Sequence, residues 1–226
     1  INQNLTSSKT ILKEFGCGST VGLSYIPWVL VMVFMYNQVI TKIYLDTEKY
    51  GILYIAFSTF LIFFLHDTYF FWVHYWCHKS KFARKYLHHH VHHIFKNPTP
   101  FAAFSTHPAE SFIELGFRAV LILFLPLHPI AIGIFLVLSF ILNCLGHSGY
   151  EFFPSGFSTH PITKFTGNAT HHYIHHLKGN FHYSLYFTWW DKVMGTEHPD
   201  YHQIFESRAI NNPIKIFSRG QKLEAK

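Results

Sequence analysis

Apolar residues gather in four long stretches of the chain, separated by shorter polar segments. Residues 23–45 and 51–73 form the first pair, joined by the link "DTEKY", and each is about the 20 residues of helix that a bilayer core requires. Residues 111–127 and 129–146 form the second pair, and they meet at a corner where Pro126, His128 and Pro129 interrupt the helix. The pattern predicts an all-α integral membrane fold with four transmembrane helices in two hairpins.

This arrangement places the polar segments on one side of the membrane. If the two tight turns lie on the far side, residues 74–110 and 147–226 share the near side with the N-terminus. Because loops rich in Lys and Arg stay in the cytoplasm, we expect a cytosolic helical cap. We expect an N-terminal segment (1–22), one membrane-embedded domain (23–210) and a C-terminal tail (211–226). The near-side basic residues include Lys79, Lys81, Arg84, Lys85, Lys96, Lys164, Lys178 and Lys192, whereas the far turns carry only Lys49.

Composition supports a membrane protein and argues against a nucleic-acid partner. Of the 226 residues, 49% are hydrophobic and 13% are charged, and 25 are Phe. The net charge of +6 is explained by topology and contact with lipid headgroups, and no interleaving of Arg with aromatic residues suggests nucleic acid. Three cysteines without CxxC spacing predict no disulfide framework. The absence of an initiating Met leads us to expect that the sequence starts inside a longer chain.

Histidines crowd into three polar segments on the predicted cytosolic side. The rings share one helical face in each segment, and crowded imidazoles repel one another near neutral pH unless something binds their neutral form. Eight rings exceed the four ligands of one structural zinc and so indicate two metal ions with nitrogen ligands. The spacings are HxxxH (His74, His78), HxxHH (His89, His92, His93) and HxxHH (His172, His175, His176). Isolated histidines such as His128, His198 and His202 are expected to be turn or surface residues.

The ordered motifs resemble those of the fatty acid hydroxylase / sterol desaturase superfamily of integral-membrane di-iron enzymes. The resemblance covers roughly residues 65–201 and includes "HDTYFFWVH", "THPAE", "GHSGYEFFP" and "YFTWWDKVMGT". It implies O2-dependent hydroxylation or desaturation of a lipid C–H bond, with two iron ions for which zinc can substitute. It also implies electrons from a small carrier and its NAD(P)H reductase, and a metal site facing the cytoplasm in a bacterial inner membrane or the endoplasmic reticulum. The implied ligands are His74, His78, His89, His92, His93, His147, His172, His175 and His176.

Further residues near the motifs are candidates for ligands or for side chains that orient a ligand. They are His88, His107, His171, Asn143, Asp67, Glu110 and Asp191. His90 lies off the shared helical face. Glu114 and Arg118 lie four apart in an apolar stretch, so we expect them to pair or to face the interior, and Arg118 could hold a substrate headgroup. The chain departs from the family where Phe181 and His182 replace an Asn-Tyr-Gly, which leaves the role of His182 open.

Two other functions fit the histidines. A histidine-rich membrane metal transporter is disfavoured because the clusters lie at helix ends and the hairpins do not repeat. A zinc-dependent lipid hydrolase is disfavoured because GxSxG and HExxH are absent. The sequence also has no Rossmann GxGxxG, iron–sulfur spacing or haem-attachment motif. An oxidoreductase of this sequence would therefore need an external electron donor. The substrate-binding residues cannot be identified from the sequence.

Overall fold

Helices form the regular structure of the chain. The computed structural model describes residues 7–89, 91–96 and 98–210, and within them it has no strand beyond one isolated antiparallel bridge between Thr166 and Phe187. The predicted all-α class is confirmed. The helices are α1 (Ser8–Asn37), α2 (Gly51–Lys79), α3 (Pro108–Phe124), α4 (Pro129–Gly146), α5 (Ala169–Lys178), α6 (Trp189–Val193) and α7 (Tyr201–Glu206). Shorter helical turns are Thr47–Lys49, Lys81–Ala83, the π-helical Arg84–His88, Pro100–Phe104 and Thr163–Phe165.

Side-chain caps fix where the helices begin. Helices α3 and α4 each open with a proline at the first position, where the missing N–H costs nothing. The preceding histidine caps each of them: His107 Nδ1 accepts from the N–H of Ala109, and His128 Nδ1 from that of Ile130. His128 thus lies at a turn, as expected. At the other end of the fold, α5 stops at Gly179, whose φ of 71° suits a residue without a Cβ.

Three helices, rather than four, are long and apolar enough to span a membrane within the described residues: α1, α2 and α4. Helix α3 has 17 residues, about 26 Å at 1.5 Å per residue, whereas a bilayer core is about 30 Å thick. It also carries Glu110, Glu114 and Arg118. The prediction that residues 111–127 cross the membrane as a fourth span is therefore not confirmed.

The bounds predicted for the first span are wrong at both ends. Helix α1 begins at Ser8 and ends at Asn37, whereas the hydrophobic pattern gave 23–45. The additional first turns of α1 make a polar contact, because Glu14 is buried and accepts the N–H of Thr99 at 3.3 Å. After Asn37 the chain turns back along the bundle, and the Tyr44 N–H donates to the carbonyl of Leu127 at 3.2 Å. Apolar residues there lie in irregular chain, which a hydropathy window cannot distinguish from helix.

Two kinds of apolar surface hold the long helices in place. An interior cluster joins α2, α3 and α4 through residues such as Ile62, Phe63, Ile122 and Phe135. The outer faces expose large apolar side chains, as the lipid-facing side of a membrane protein does. Examples are Leu23 (68% exposed), Leu30, Phe34, Leu53 (83%), Phe60 and Phe140.

Helices α1 and α3 approach each other closely at a glycine. A Cβ on Gly116 would lie 2.8 Å from Cζ2 of Trp28, and the indole N–H of Trp28 donates to the carbonyl of Phe112 at 2.8 Å. This contact fixes α1 against α3. At the end of the bundle that carries the histidines, α5 and α7 pack through Ile174, Tyr201 and Phe205.

Candidate metal centre

Nine buried histidines form two adjoining groups at one end of the helix bundle. Within each group, one nitrogen of every ring lies within 4.8 Å of one nitrogen of every other. Neighbours in sequence are divided between the groups: His92 and His93 belong to different groups, and so do His175 and His176, although the spacing predicted one shared face for each segment. The five-histidine group is His74, His78, His88, His93 and His175, and the four-histidine group is His92, His147, His172 and His176.

The Nδ1 atoms of several rings are fixed by oxygen acceptors. His74 Nδ1 lies 2.8 Å from the carbonyl oxygen of Tyr183, and His175 Nδ1 lies 2.7 Å from that of Phe181. His147 Nδ1 lies 2.9 Å from the carbonyl oxygen of its own helix residue Asn143. A carbonyl oxygen can only accept, so these rings carry their proton on Nδ1 and leave a lone pair on Nε2. This is how protein partners prepare a histidine to bind metal.

The Nε2 atoms then face one another across short gaps. Nε2 of His74 lies 3.1 Å from Nε2 of His88, and Nε2 of His172 lies 2.8 Å from that of His147. The Nδ1 of His74 donates to a carbonyl, and with Glu110 ionised the Nδ1 of His88 donates to the carboxylate, so that neither Nε2 carries a proton. Such lone pairs repel each other unless a cation lies between them. The donor set therefore fits metal ions, one to each group, and imidazole nitrogen suits iron, zinc and copper alike.

Burial keeps the rings in the form that binds metal. It holds the pKa of His92, His172 and His176 well below the usual value, and the neighbouring imidazoles lower the pKa further. Burial also lowers the pKa of His147 to about 4. Neutral rings keep the lone pair that a metal requires.

His88 and His89 lie differently from what regular helical spacing predicts. The N–H of His89 bonds to the carbonyl of Arg84 at 3.0 Å, an i→i+5 bond within the π-helical turn Arg84–His88. The wider turn rotates His88 into the five-histidine group. His89, expected as a ligand, lies outside both groups, with its ring stacked 4.7 Å from that of His93. The side chain of His90 lies outside the described residues.

Three carboxylates hold parts of the centre: one contacts a histidine ring and two accept backbone N–H groups. Glu110 acts directly, because its Oε1 lies 2.6 Å from Nδ1 of His88. Asp67 Oδ1 accepts the N–H groups of Leu185, Tyr186 and Phe187 at 3.1, 2.7 and 3.3 Å.

Asp191 holds the preceding part of the same loop. It accepts the N–H groups of Tyr183 and Ser184 at 2.8 and 3.0 Å. The Tyr183 carbonyl in turn orients His74. Asp191 therefore acts on the centre through the backbone, and backbone groups of this kind leave no sequence signal.

Other candidate residues lie beside the two groups rather than in them. Asn143 donates from its side chain to the carbonyl of Ala103 at 3.1 Å, and its own carbonyl accepts from His147. His107 caps α3. His171 belongs to a separate buried set with His182 and Asp191, in which His171 Nε2 lies 3.4 Å from Asp191 Oδ2.

His182 lies in the loop after α5, in a backbone conformation that residues with a Cβ seldom adopt. Its φ of 58° lies in the left-handed region, which is costly for a residue with a Cβ. Two hydrogen bonds hold it there: its N–H donates to the carbonyl of Thr196 at 2.9 Å, and its Nε2 accepts the N–H of His198 at 3.2 Å. His198, expected as a surface residue, is buried at this contact.

A cavity of about 260 Å³ opens from the histidine groups toward the middle of the bundle. It is lined on the way by apolar side chains such as Phe70, Leu136 and Phe140, and farther in by Glu114 and Arg118. Within the described residues Arg118 forms no ion pair, so of the two expected arrangements, pairing with Glu114 or facing the interior, the second is observed.

Comparisons with known proteins agree with the geometry. A family model described as fatty acid hydroxylase matches residues 59–196. Human lathosterol oxidase is 29% identical over 175 residues, 76% of this chain and 55% of that protein. The C-4 methylsterol oxidase of Schizosaccharomyces pombe is 28% identical over 221 residues, 94% of this chain and 71% of that protein. Rat cholesterol 25-hydroxylase is 37% identical over 112 residues, 48% and 36% of the two chains.

The chain spans about half the length of the first of these relatives, and no solved structure matches it. The family match nevertheless covers more than half of the chain and contains both histidine groups. The chain belongs to the fatty acid hydroxylase family.

Proposed function

We propose that this chain is a membrane di-iron oxidoreductase that hydroxylates or desaturates a C–H bond of a lipid. The observation that carries the proposal is the convergence of Nε2 lone pairs in two adjoining groups of five and four buried histidines. Iron, when bound there, would supply the O2-dependent oxidation of an unactivated C–H bond. The histidine ligand set, with His88 in place of His89, is part of this proposal.

The chain itself would orient the ligands and exclude water. Carbonyls of Tyr183 and Phe181 and the carboxylate of Glu110 fix the Nδ1 protons, so the rings need not reorganise when metal binds. The cavity beside His74 and His147 has apolar side chains such as Phe70, Leu136 and Phe140 in its wall, against which a hydrocarbon could pack. Its position among membrane-facing helices favours a substrate taken from the bilayer.

A sterol or a related lipid is the substrate class that the relatives support. Their names include lathosterol oxidase, C-4 methylsterol oxidase and cholesterol 25-hydroxylase. Two of these names give a position, C-4 and C-25, at different parts of a sterol.

Electrons would come from a separate carrier and its NAD(P)H reductase. Lys79, Lys81, Arg84 and Lys85 form an exposed basic surface beside the histidine groups. An acidic carrier would be attracted to this surface, because charge complementarity speeds encounter. We expect Lys81→Glu with Arg84→Glu to slow turnover at low salt while metal content stays unchanged. Unchanged turnover would place the docking site elsewhere.

The orientation in the membrane is also part of the proposal. The metal centre would face the cytoplasm of a bacterial inner membrane or of the endoplasmic reticulum. Cysteines introduced at Lys81 and Lys178 should react with an impermeant label from the cytoplasmic side only, and one at Lys49 from the opposite side. Labelling of Lys81 and Lys178 from opposite faces would refute the shared face.

Reconstitution of the purified protein tests the function itself. Protein loaded anaerobically with ferrous iron should hold close to two iron ions per chain, with a Mössbauer spectrum of high-spin iron in nitrogen ligation. It should oxidise a sterol only when the electron carrier, its reductase, NAD(P)H and O2 are all present. Full activity in protein that retains only zinc would refute the iron assignment, and product formation without any electron donor would refute the oxidoreductase assignment.

A further inference from the structure

Arg118 lies where two cavities meet inside the helix bundle. The cavity of about 260 Å³ runs from the histidine groups to Arg118. A second cavity of about 400 Å³ lies between α1, α3 and α4 and is almost wholly apolar. Tyr25, Arg118 and Leu136 line both. A lipid that extends from the bilayer toward the histidines would therefore pass this side chain.

Three helices place a polar residue at the same depth below the histidine groups. In each helix the polar residue lies eight positions from a residue of the metal centre, which is about 12 Å at 1.5 Å per residue. The pairs are His66 and His74 on α2, Glu110 and Arg118 on α3, and Ser139 and His147 on α4. All of them line the 260 Å³ cavity. The inner end of the cavity is thus polar on three sides, although apolar residues dominate the helices that form it.

Arg118 lacks the partner that a cation at this depth requires. Its Nε is buried without a hydrogen-bond acceptor, and within the described residues no carboxylate forms an ion pair with it. Its guanidinium lies 6.0 Å from the ring centre of Tyr25 and 5.9 Å from that of Phe135. Ring faces compensate a buried cation only in part, and charged side chains at membrane depth are retained for function. A ligand in the cavity would supply the missing acceptor.

Glu114 limits which functional group of a ligand could bind beside Arg118. It lies one helical turn before Arg118 and lines the same cavity. Arginine can only donate hydrogen bonds and an ionised carboxylate can only accept them. A hydroxyl group satisfies both, whereas the carboxylate of a fatty acid would be repelled by Glu114.

We propose that Arg118 and Glu114 bind the hydroxyl group of a lipid alcohol and so direct a distant C–H bond of that lipid to the histidine groups, which lie about 12 Å of helix rise from Arg118. The inference rests on the proposed function for the reaction at the histidines, but the hydroxyl site itself can be measured without turnover. It makes Arg118 a specificity-determining residue: the distance from hydroxyl to metal centre selects which carbon is oxidised. Carbons adjacent to the hydroxyl would be out of reach.

Equilibrium binding to the purified protein in nanodiscs tests the site. The affinity for tritiated cholesterol is compared with that for cholestane, the same hydrocarbon without the hydroxyl, by competition. A second arm compares hexadecanol with hexadecane, and the arm with the larger ratio assigns the hydroxyl to a sterol or to a straight-chain alcohol. We expect the wild-type protein to prefer the alcohol by at least about tenfold, as hydrogen bonds to charged groups do.

Substitutions assign that preference to residues. Arg118→Met should reduce the ratio to near one, and Arg118→Lys should keep part of it. Glu114→Gln should weaken alcohol binding and strengthen binding of palmitate, because the carboxylate that repels palmitate is then absent. Lys49→Met, in the exposed turn before α2, is the matched control and should keep the wild-type ratio.

The outcomes separate this site from the oxidation itself. A wild-type ratio in both Arg118→Met and Glu114→Gln would overturn the hydroxyl site, and so would a wild-type protein that prefers palmitate to either alcohol. Because the measurement needs neither iron nor electrons, a protein that binds alcohols through Arg118 but forms no product would refute only the proposed function.

Discussion

Glu110→Gln is the substitution that tests most directly how the protein tunes its metal centre. The Glu110 carboxylate faces Nδ1 of His88 at 2.6 Å, and each residue is only 2% exposed. Glutamine has nearly the same shape but no charge, so the ring loses its charge-assisted hydrogen bond while the cavity stays filled. Loss of a partner that orients a ligand lowers metal affinity about 10- to 100-fold, which is about 1.4–2.7 kcal/mol. The energy of a hydrogen bond to a charged group, about 1.5–3 kcal/mol, gives nearly the same range.

The assay is retention of metal against a graded chelator, with iron per chain measured by mass spectrometry. We expect the chelator concentration that removes the first iron to fall about 10- to 100-fold in Glu110→Gln, while the second iron is released as in the wild type. Glu48→Gln, at an exposed carboxylate in the turn before α2, is the control and should behave as the wild type. A midpoint for Glu110→Gln equal to that of the control would refute the role of this carboxylate.

Three further predictions follow from contacts near the centre. His88→Ala should lose one of two metal ions and His89→Ala should keep both, as measured by metal analysis after gel filtration. The reverse result would show that His89 is the ligand, as regular helical spacing predicts. Gly167→Ala places a Cβ 2.9 Å from a backbone carbonyl oxygen. This overpacking should cost about 1–3 kcal/mol and lower the melting temperature by about 2–12 °C. Gly133→Ala is the control, because its Cβ would meet nothing within 4 Å, and it should not lower the melting temperature. Asp191→Ala leaves two buried N–H groups unsatisfied at about 1–3 kcal/mol each, so thermal unfolding should start earlier and metal content should fall; wild-type values for both would show that this carboxylate does not hold the loop.

The sequence predicts the bounds of a helix that is apolar along its whole length. It does not predict a helix end that is set by backbone geometry. Residues 129–146 coincide with α4 because that helix is apolar throughout and begins at a proline. The C-terminal end of the first span is wrong because the irregular segment after Asn37 is as apolar as the helix before it. Hydropathy records apolar composition, which the helix and the segment share.

The candidate site shows the same division. Histidine spacing is sufficient to relate His172 and His176, which lie four apart on the regular helix α5 and fall in one group, but it does not predict that His175 between them joins the other group. It is not sufficient for His88 and His89, because a single π-helical turn changes the face that each presents. The carbonyls that orient His74 and His175 belong to a loop whose sequence carries no mark of that role.

The hydrogen bonds of Asp67 connect parts of the chain that the ribosome delivers far apart in time. Asp67 lies in α2, and its acceptor oxygen holds the N–H groups of residues 185–187, some 118 to 120 positions later. His93 and His175, whose Nε2 atoms lie 3.0 Å apart, are separated by 82 positions. Contacts of such long sequence separation form late, after the entropy of closing the intervening chain has been overcome. During biosynthesis the first helices would enter the membrane with their histidines still unmatched, and metal loading would follow release of the completed chain. Metal content would then report whether assembly has finished, so a destabilised variant should first be detected as apoprotein.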